Sequence, residues 1–309
     1  MERSELPVFD DQVYHLGLKS DQLADQIFLV GDPKRANDVA NHFDIILDSE
    51  SNREYVIKTG IYKKMPVSVI GIGMGTDNVE IALVEAYILK TFDLENGGKK
   101  DFKKLTIIRL GTSGGWQKEA HVGSLGIAEY GFGLDNTGLF YDSPYADDLC
   151  REIEQEAFTV ITNATPLNNR FKGWIHPYVS KANDDVVKAL VSSAEARDAK
   201  YIKGITAASS GFYGPQDREV PGLKLTIPNL QKILSRLNFN GKKIINCEME
   251  SSLLFHLGRQ MNYKCGTVCA IIANRETGEF LEDYSGVVDN CIRVGLDAMF
   301  NLWSQHQNG

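Results

Sequence analysis

Short apolar runs alternate with amphipathic stretches along most of the chain. Ile27-Phe28-Leu29-Val30 has the unbroken apolar character of a strand covered on both faces. It stops at Gly31-Asp32-Pro33, where Asp32 can cap a helix and Pro33 can occupy its first position. Tyr55–Ile61 and Pro66–Ile72 read as two further strands, joined through Tyr62-Lys63-Lys64-Met65 as a hairpin. From Asp77 to Lys90 the period becomes helical and puts Val79, Ala82, Leu83, Ala86 and Tyr87 on one face. Strands are predicted over Leu105–Leu110, Ser124–Tyr130, Lys203–Ala208, Lys243–Cys247 and Thr267–Ala273. Helices are predicted over Asp147–Phe158, Asp184–Arg197, Glu248–Met261 and Ser285–Trp303. Such alternation predicts an α/β fold, a mixed twisted central sheet flanked by helices. No repeat, low-complexity tract or Pro/Ser-rich linker interrupts it, so residues 1–309 read as a single domain. The polar Asn96-Gly97-Gly98-Lys99-Lys100 reads as an exposed loop within that domain.

Composition narrows the function classes. With 309 residues and 43% apolar content, the chain can bury a large core. No apolar run approaches the roughly 20 residues needed to span a bilayer. Met1-Glu2-Arg3-Ser4-Glu5 has mixed charge and leads into no apolar region, so no secretory signal is expected. The five cysteines, Cys150, Cys247, Cys265, Cys269 and Cys291, are odd in number and scattered in apolar stretches, as expected of reduced core cysteines in a cytoplasmic protein. Cys265 and Cys269 lack a second Cys/His pair, and no metal site is expected. The net charge of −8 opposes nucleic acid and anionic membrane as partners. An anion site in such a chain has to be assembled from placed guanidinium groups and backbone N–H groups.

Ligands of open α/β sheets collect where strands end in loops, and four strand ends carry unusual residues. In Gly31-Asp32-Pro33-Lys34-Arg35, a glycine turn opens a helix and puts Arg35 in its first turn. A cation there opposes the helix dipole, a conflict that a bound anion would remove. In Arg109-Leu110-Gly111-Thr112-Ser113-Gly114-Gly115 an arginine sits inside an apolar strand and needs an anionic partner, either a carboxylate or a ligand. The same stretch matches G-x-S-x-G, with Ser113 as a nucleophile, but the residues that follow are poor helix material for that elbow. Gly71-Ile72-Gly73-Met74-Gly75 has its third glycine too early for a dinucleotide fingerprint. In Asn246-Cys247-Glu248-Met249-Glu250-Ser251 two carboxylates flank Met249 at a strand–helix junction. They could grip vicinal hydroxyls. Two residues apart in a helix start, they are not expected to face each other as a glycosidase pair.

Together these segments, from about Tyr14 to Trp303, resemble the nucleoside phosphorylases of the uridine phosphorylase type. Val13-Tyr14-His15-Leu16-Gly17-Leu18 is similar to the family's N-terminal segment, whose histidine reaches a neighbouring subunit's nucleoside 5′-hydroxyl, which implies His15. Gly31 to Arg35 resembles the phosphate loop, so Gly31 and Arg35 are implied in phosphate binding. Asn52-Arg53-Glu54 resembles the stretch whose arginine crosses the dimer interface to the same phosphate, which implies Arg53. Arg109 and Thr112 match the remaining phosphate and ribose contacts, and Glu248, Met249 and Glu250 match a ribose-binding Glu-Met-Glu. Ser209 to Arg218 is similar to the uracil loop, with Phe212 to stack and Gln216 and Arg218 to bond the base. The chemistry fits, because uracil shows two carbonyl acceptors around one N–H. In Ala273-Asn274-Arg275, Asn274 stands where purine-cleaving relatives have an acidic aspartate.

The implied activity is reversible phosphorolysis of uridine to uracil and ribose 1-phosphate in pyrimidine salvage. The implied catalytic residues are Arg109, Gln216 and Arg218. No cofactor is implied beyond phosphate as co-substrate. Relatives with Gly-Pro-Ser or Ile-Pro-Ser in the glycine segment can hold a monovalent cation at the dimer interface, and here Thr76 supplies a hydroxyl instead. The implied assembly is a homodimer in which His15 and Arg53 complete the neighbour's site, with a hexamer as the larger alternative. A water-using nucleosidase, a purine nucleoside phosphorylase, a nucleoside-binding protein and a serine hydrolase are the competing readings.

Overall fold

The unbroken apolar runs become the middle strands of a ten-stranded sheet in a computed structural model that describes residues 5–95, 98–101 and 103–307. In chain order, β1 (Val8–Phe9) and β2 (Gln12–Val13) form a small ribbon of their own. Then β3 (Gln26–Val30) leads into α1 (Pro33–Ala40), and β4 (Ile45–Asn52), β5 (Tyr55–Tyr62) and β6 (Met65–Gly71) lead into α2 (Thr76–Thr91). The second half runs β7 (Thr106–Gly115), β8 (Leu125–Gly133), α3 (Asp148–Ala164), β9 (Tyr178–Lys181), α4 (Asp184–Ala196), β10 (Tyr201–Ala208), α5 (Leu230–Leu234), β11 (Ile244–Glu248), α6 (Ser251–Gln260), β12 (Lys264–Asn274) and α7 (Ser285–Gln307).

The strand order is β11-β10-β8-β12-β7-β3-β6-β5-β4, with β9 on β8. The sheet is mixed: β3, β6, β7 and β12 run parallel at its centre, while β4–β5 and β5–β6 are antiparallel. A second pairing, Asn246 and Cys247 of β11 against Gly115 and Gly114 of β7, curls one end of the sheet into a closed five-stranded barrel. Helices cover the sheet from several sides. α2 and α6 pack in one apolar cluster, α1, α4 and α7 in a second, and α3 and α5 in a third.

Local chemistry explains many boundaries. The Asp32 side chain accepts from Lys34 N at 2.9 Å with Pro33 following it, and Asp147 caps α3 through Cys150 N at 3.0 Å. Lys63 and Lys64 turn the predicted hairpin with φ of 50° and 70°, the left-handed pair that a two-residue loop requires. The predicted strands and helices are present, several of them longer than expected. Four strands and one helix were missed because none has a long apolar run: β4 is an edge strand with largely exposed residues, β9 has only four residues, β1 and β2 have two each, and α5 has five. The predicted helix over Glu248–Met261 is corrected. Glu248 ends β11, Glu250 precedes the helix with φ −137°, and α6 begins at Ser251. Met1–Ser4, and Asn96 and Gly97 of the predicted loop, lie outside the described residues. All five cysteines are free and buried. Among the described residues no helix is long and apolar enough to cross a membrane.

Candidate active site

Arg109 lies in the middle of β7, opposite Leu29 on one side and Thr267 on the other. Its side chain folds back along its own strand and covers Gly111, where a Cβ would fall inside the guanidinium group. Residues two apart on a strand share a face, so the missing side chain at Gly111 is what makes room for the arginine. Arg109 is 4% exposed and meets two carboxylates. Nη1 is 3.0 Å from Glu248 Oε2, and Nη2 bonds Glu250 Oε2. Nη1 also donates to Cys269 Sγ at 3.2 Å. Of the two partners left open by the sequence, a carboxylate or a ligand, the fold supplies two carboxylates.

The carboxylates are themselves held by backbone N–H groups. Glu248 accepts from Ser251 N at 3.0 Å and from Glu250 N at 3.2 Å. Glu250 accepts from Met249 N at 3.1 Å and, through Oε1, from Gly75 N at 3.0 Å. Gly75 has φ 103° and Gly73 φ 80°, so the glycine segment uses left-handed backbone to aim an N–H at Glu250. The expectation that the two carboxylates would not face each other is therefore corrected. The strand-to-helix bend between them lets both converge, but around a guanidinium and not around a bond to be cut. Burial opposes the charge on Arg109, yet Glu250 and Glu248 outweigh it and raise its pKa. Burial also pushes the Glu248 carboxyl up to about 7, with Arg109 pulling it down and Glu250 pushing it further up.

Arg35, in the first turn of α1, is buried, and Nη1 donates to Leu110 O at 3.3 Å. Among the described residues it has no carboxylate partner. Gly31 lies beside Glu250 and Gly73: a Cβ there would sit 3.4 Å from Gly73 O and 3.7 Å from Glu250 Oε1. Thr112 is half-buried on β7 opposite Ala270. Ser113 is committed to structure. Its Oγ accepts from Asn246 Nδ2 at 2.9 Å, and Asn246 Oδ1 accepts from Thr206 Oγ1 at 2.7 Å. It lies within a strand, not on a strand–helix elbow, and no histidine bonds it among the described residues, which removes the serine hydrolase reading.

The loop after β10 stands next to this cluster, because Ser209 N donates to Glu248 O at 3.2 Å. Within it, Arg218 Nε donates to Phe212 O at 3.0 Å, Nη2 reaches Gln216 Oε1 at 3.4 Å, and the guanidinium lies 4.0 Å from the Phe212 ring centroid. Gln216 is buried, while Phe212 is half-exposed. Arg275 clamps this loop from behind by donating to Gln216 O at 3.0 Å and Asp217 O at 3.1 Å. Sequence reasoning gave Arg275 no role, and an arginine that acts on backbone carbonyls leaves no pattern to find. Burial and then Arg275 lower the pKa of Arg218. Asn274 is fully engaged: its Nδ2 donates to Gln117 O and Ala120 O at 2.9 and 2.8 Å, and its Oδ1 accepts from Glu276 N and Thr277 N.

Hydrogen bonds and close approaches connect Gly31, Arg109, Glu248, Met249 and Glu250. Arg35 approaches them through Leu110 O, next to Arg109 on β7. Phe212, Gln216 and Arg218 form a second group whose loop is joined to Glu248 through Ser209 N. His15 and Arg53 form a separate group. His15 Nδ1 is 2.7 Å from Glu85 Oε1. Arg53, at the β4–β5 turn with φ 52°, donates to Tyr14 Oη at 2.5 Å and lies over its ring. Among the described residues no hydrogen bond or ion pair joins these two to the Arg109 cluster. A cavity of about 1950 Å³ is lined by Lys19, Asp25, Lys90 and Trp303 among others and contains none of the candidate site residues. The converging charged groups around Arg109, and not cavity size, locate the site.

The sequence matches the phosphorylase superfamily over residues 26–300. The chain belongs to that superfamily. A solved nucleoside phosphorylase from Trypanosoma brucei, described as showing uridine phosphorylase activity, is 32% identical, with a TM-score of 0.84 over 96% of this chain and 99% of its own. A uridine phosphorylase from Thermococcus kodakarensis is 28% identical over 86% of this chain and 79% of its own length. A DeoD-type purine nucleoside phosphorylase from Streptococcus suis is 26% identical over 92% of this chain and 98% of its own. The α/β fold of this phosphorylase, with its mixed sheet between helices, is thus that of solved nucleoside phosphorylases. Thr76 is buried with Oγ1 turned to Thr137 Oγ1 at 3.4 Å, whereas Glu54 is exposed at the hairpin turn.

Proposed function

We propose that this phosphorylase cleaves uridine with inorganic phosphate, giving uracil and ribose 1-phosphate in pyrimidine salvage. The observation that carries this reading is the base loop. Gln216 can donate and accept, Arg218 can donate to a carbonyl, and Phe212 offers a ring face, while Asn274 is neither acidic nor free. Phosphate as the second substrate is supported by Arg35, a buried guanidinium whose only partner among the described residues is a backbone carbonyl. Glu248 and Glu250 already balance Arg109, so Arg35 supplies most of the uncompensated positive charge.

In the proposed reaction the C1′–N1 bond breaks with its electron pair leaving on uracil N1. A phosphate oxygen forms the new bond to C1′ from the opposite face, and no covalent enzyme intermediate is involved. Gly31, Arg35, Arg109 and Thr112, with Arg53 from a neighbouring subunit, orient phosphate. Glu248, Met249 and Glu250 hold the ribose, with His15 from the neighbour on its 5′-hydroxyl. Gln216 and Arg218 spread the charge of the departing uracil, which then takes a proton from the medium. Positioning and preorganised charge supply the acceleration. The working unit is a homodimer, or a ring of three dimers.

The deciding experiment measures free base released from uridine and, in parallel, from inosine, with and without phosphate. Uracil release only with phosphate supports the proposal. Hypoxanthine release refutes the pyrimidine assignment but keeps phosphorolysis. Release without phosphate makes the enzyme a hydrolase and refutes the role of Arg35.

A further inference from the structure

We infer that Glu85 is a positioning residue for His15, fixing which edge of its ring faces a neighbour's nucleoside. The inference rests on the reading of His15 as a contact to that nucleoside's 5′-hydroxyl. Glu85 is a carboxylate on the buried, mostly apolar side of α2, beside Ala82 and Ala86, and is 5% exposed. Its carboxylate gathers donors from one short segment. His15 N donates to Oε1 at 2.9 Å and to Oε2 at 3.1 Å, and Leu16 N donates to Oε2 at 2.7 Å. His15 Nδ1 lies 2.7 Å from Oε1.

An ionised carboxylate only accepts. Nδ1 therefore carries the hydrogen in this pair, and the Nε2 edge is left for a second partner. Among the described residues Nε2 has none, and the His15 side chain is 26% exposed. The segment is held from its other side as well. Asn52 Nδ2 donates to Tyr14 O at 3.0 Å and to His15 O at 2.9 Å. Gly17, with φ 66°, turns the chain close against the Asn52 side chain. Backbone and ring of His15 are thus tied to α2 and to the end of β4. A ring clamped this way presents Nε2 without losing rotamer freedom on binding, as metal-ligating histidines do when a carboxylate holds their other nitrogen. A carboxylate that served only to satisfy the two backbone N–H groups would not need the ring nitrogen as well.

The test compares kcat/KM for uridine and 5′-deoxyuridine in the full-length oligomer. The proteins are wild type, Glu85→Gln, Glu85→Ala, His15→Ala and the Glu85→Ala/His15→Ala double variant. Glu85→Ala is expected to lower the uridine/5′-deoxyuridine ratio about tenfold, mainly through KM. It is expected to add nothing in the His15→Ala background. Glu85→Gln, which keeps an oxygen for one backbone N–H, is expected to fall in between, and it decides the matter if Glu85→Ala does not fold. A purely structural role lowers both substrates equally and overturns the inference. So does a preserved ratio in both Glu85 variants when His15→Ala loses it. If His15→Ala itself keeps the ratio, the reading of His15 fails, and the inference fails with it.

Discussion

Replacing Arg109 with methionine removes the guanidinium but keeps most of the side chain's apolar volume. Glu248 and Glu250, 4% and 2% exposed, then stay buried without their cation. Removing one partner of a buried ion pair costs about 3–5 kcal/mol. The backbone donors Ser251 N, Met249 N and Gly75 N remain, which puts the loss near the lower end, about 3 kcal/mol. At about 2.1 cal/mol/K of unfolding entropy per residue, 309 residues give roughly 0.65 kcal/mol/K, so Tm is expected to fall by about 5 °C. The pH dependence carries the sharper signature. Burial raises Glu248 from 4.5 to about 7 in the folded state. Its contribution to stability is therefore fully present below 4.5 and lost as pH rises through about 7. Without Arg109 the Glu248 carboxyl ionises with no compensation, so the gap between variant and wild type is expected to be smaller at pH 5 and largest at pH 8. Thermal unfolding at both pH values measures it. A fall of less than about 1 °C at pH 8, or a gap that narrows as pH rises, refutes the account of the buried triad.

Three further outcomes are expected. Arg218→Ala lowers turnover of uridine on the order of 10²–10³-fold, measured as kcat at saturating phosphate; near-normal turnover would mean that the base loop has been assigned wrongly. Ser113→Ala keeps activity within a few-fold and costs about 1 kcal/mol in denaturant unfolding for the lost Asn246 bond, whereas abolished activity in a folded variant would return Ser113 to the chemistry. Replacing Lys63-Lys64 with Asn-Gly relieves two left-handed lysines and stabilises the protein by about 1 kcal/mol, and unchanged or lowered stability would show that this turn is not strained.

The local grammar of the chain was largely readable. The apolar run Ile27–Val30, the Asp32-Pro33 helix start and the inner face of α2 follow from burial, capping and period, which act over a few residues. An exposed edge strand such as β4 carries no such signal. Its backbone pairs with β5, and its side chains face water, so the pattern that marks a strand is absent. The misread start of α6 has a different cause. Glu248 and Glu250 are good residues for a first helical turn, but their carboxylates are drawn to Arg109, more than 130 residues earlier in the chain, and that pull sets the bend.

The sequence by itself determined an α/β fold with an arginine stranded in an apolar strand, because composition and period are local or additive properties, while its ordered motifs carried the resemblance to nucleoside phosphorylases. Only the tertiary structure decided what that arginine meets, which carboxylates converge, that Ser113 is spent on Asn246, and that Arg275 and Glu85 hold a loop and a histidine in place. Those are long-range contacts, set when strand order and register bring distant segments into one buried volume. In that low-dielectric space each charge and each N–H must find a partner, and the partner it finds is a matter of geometry.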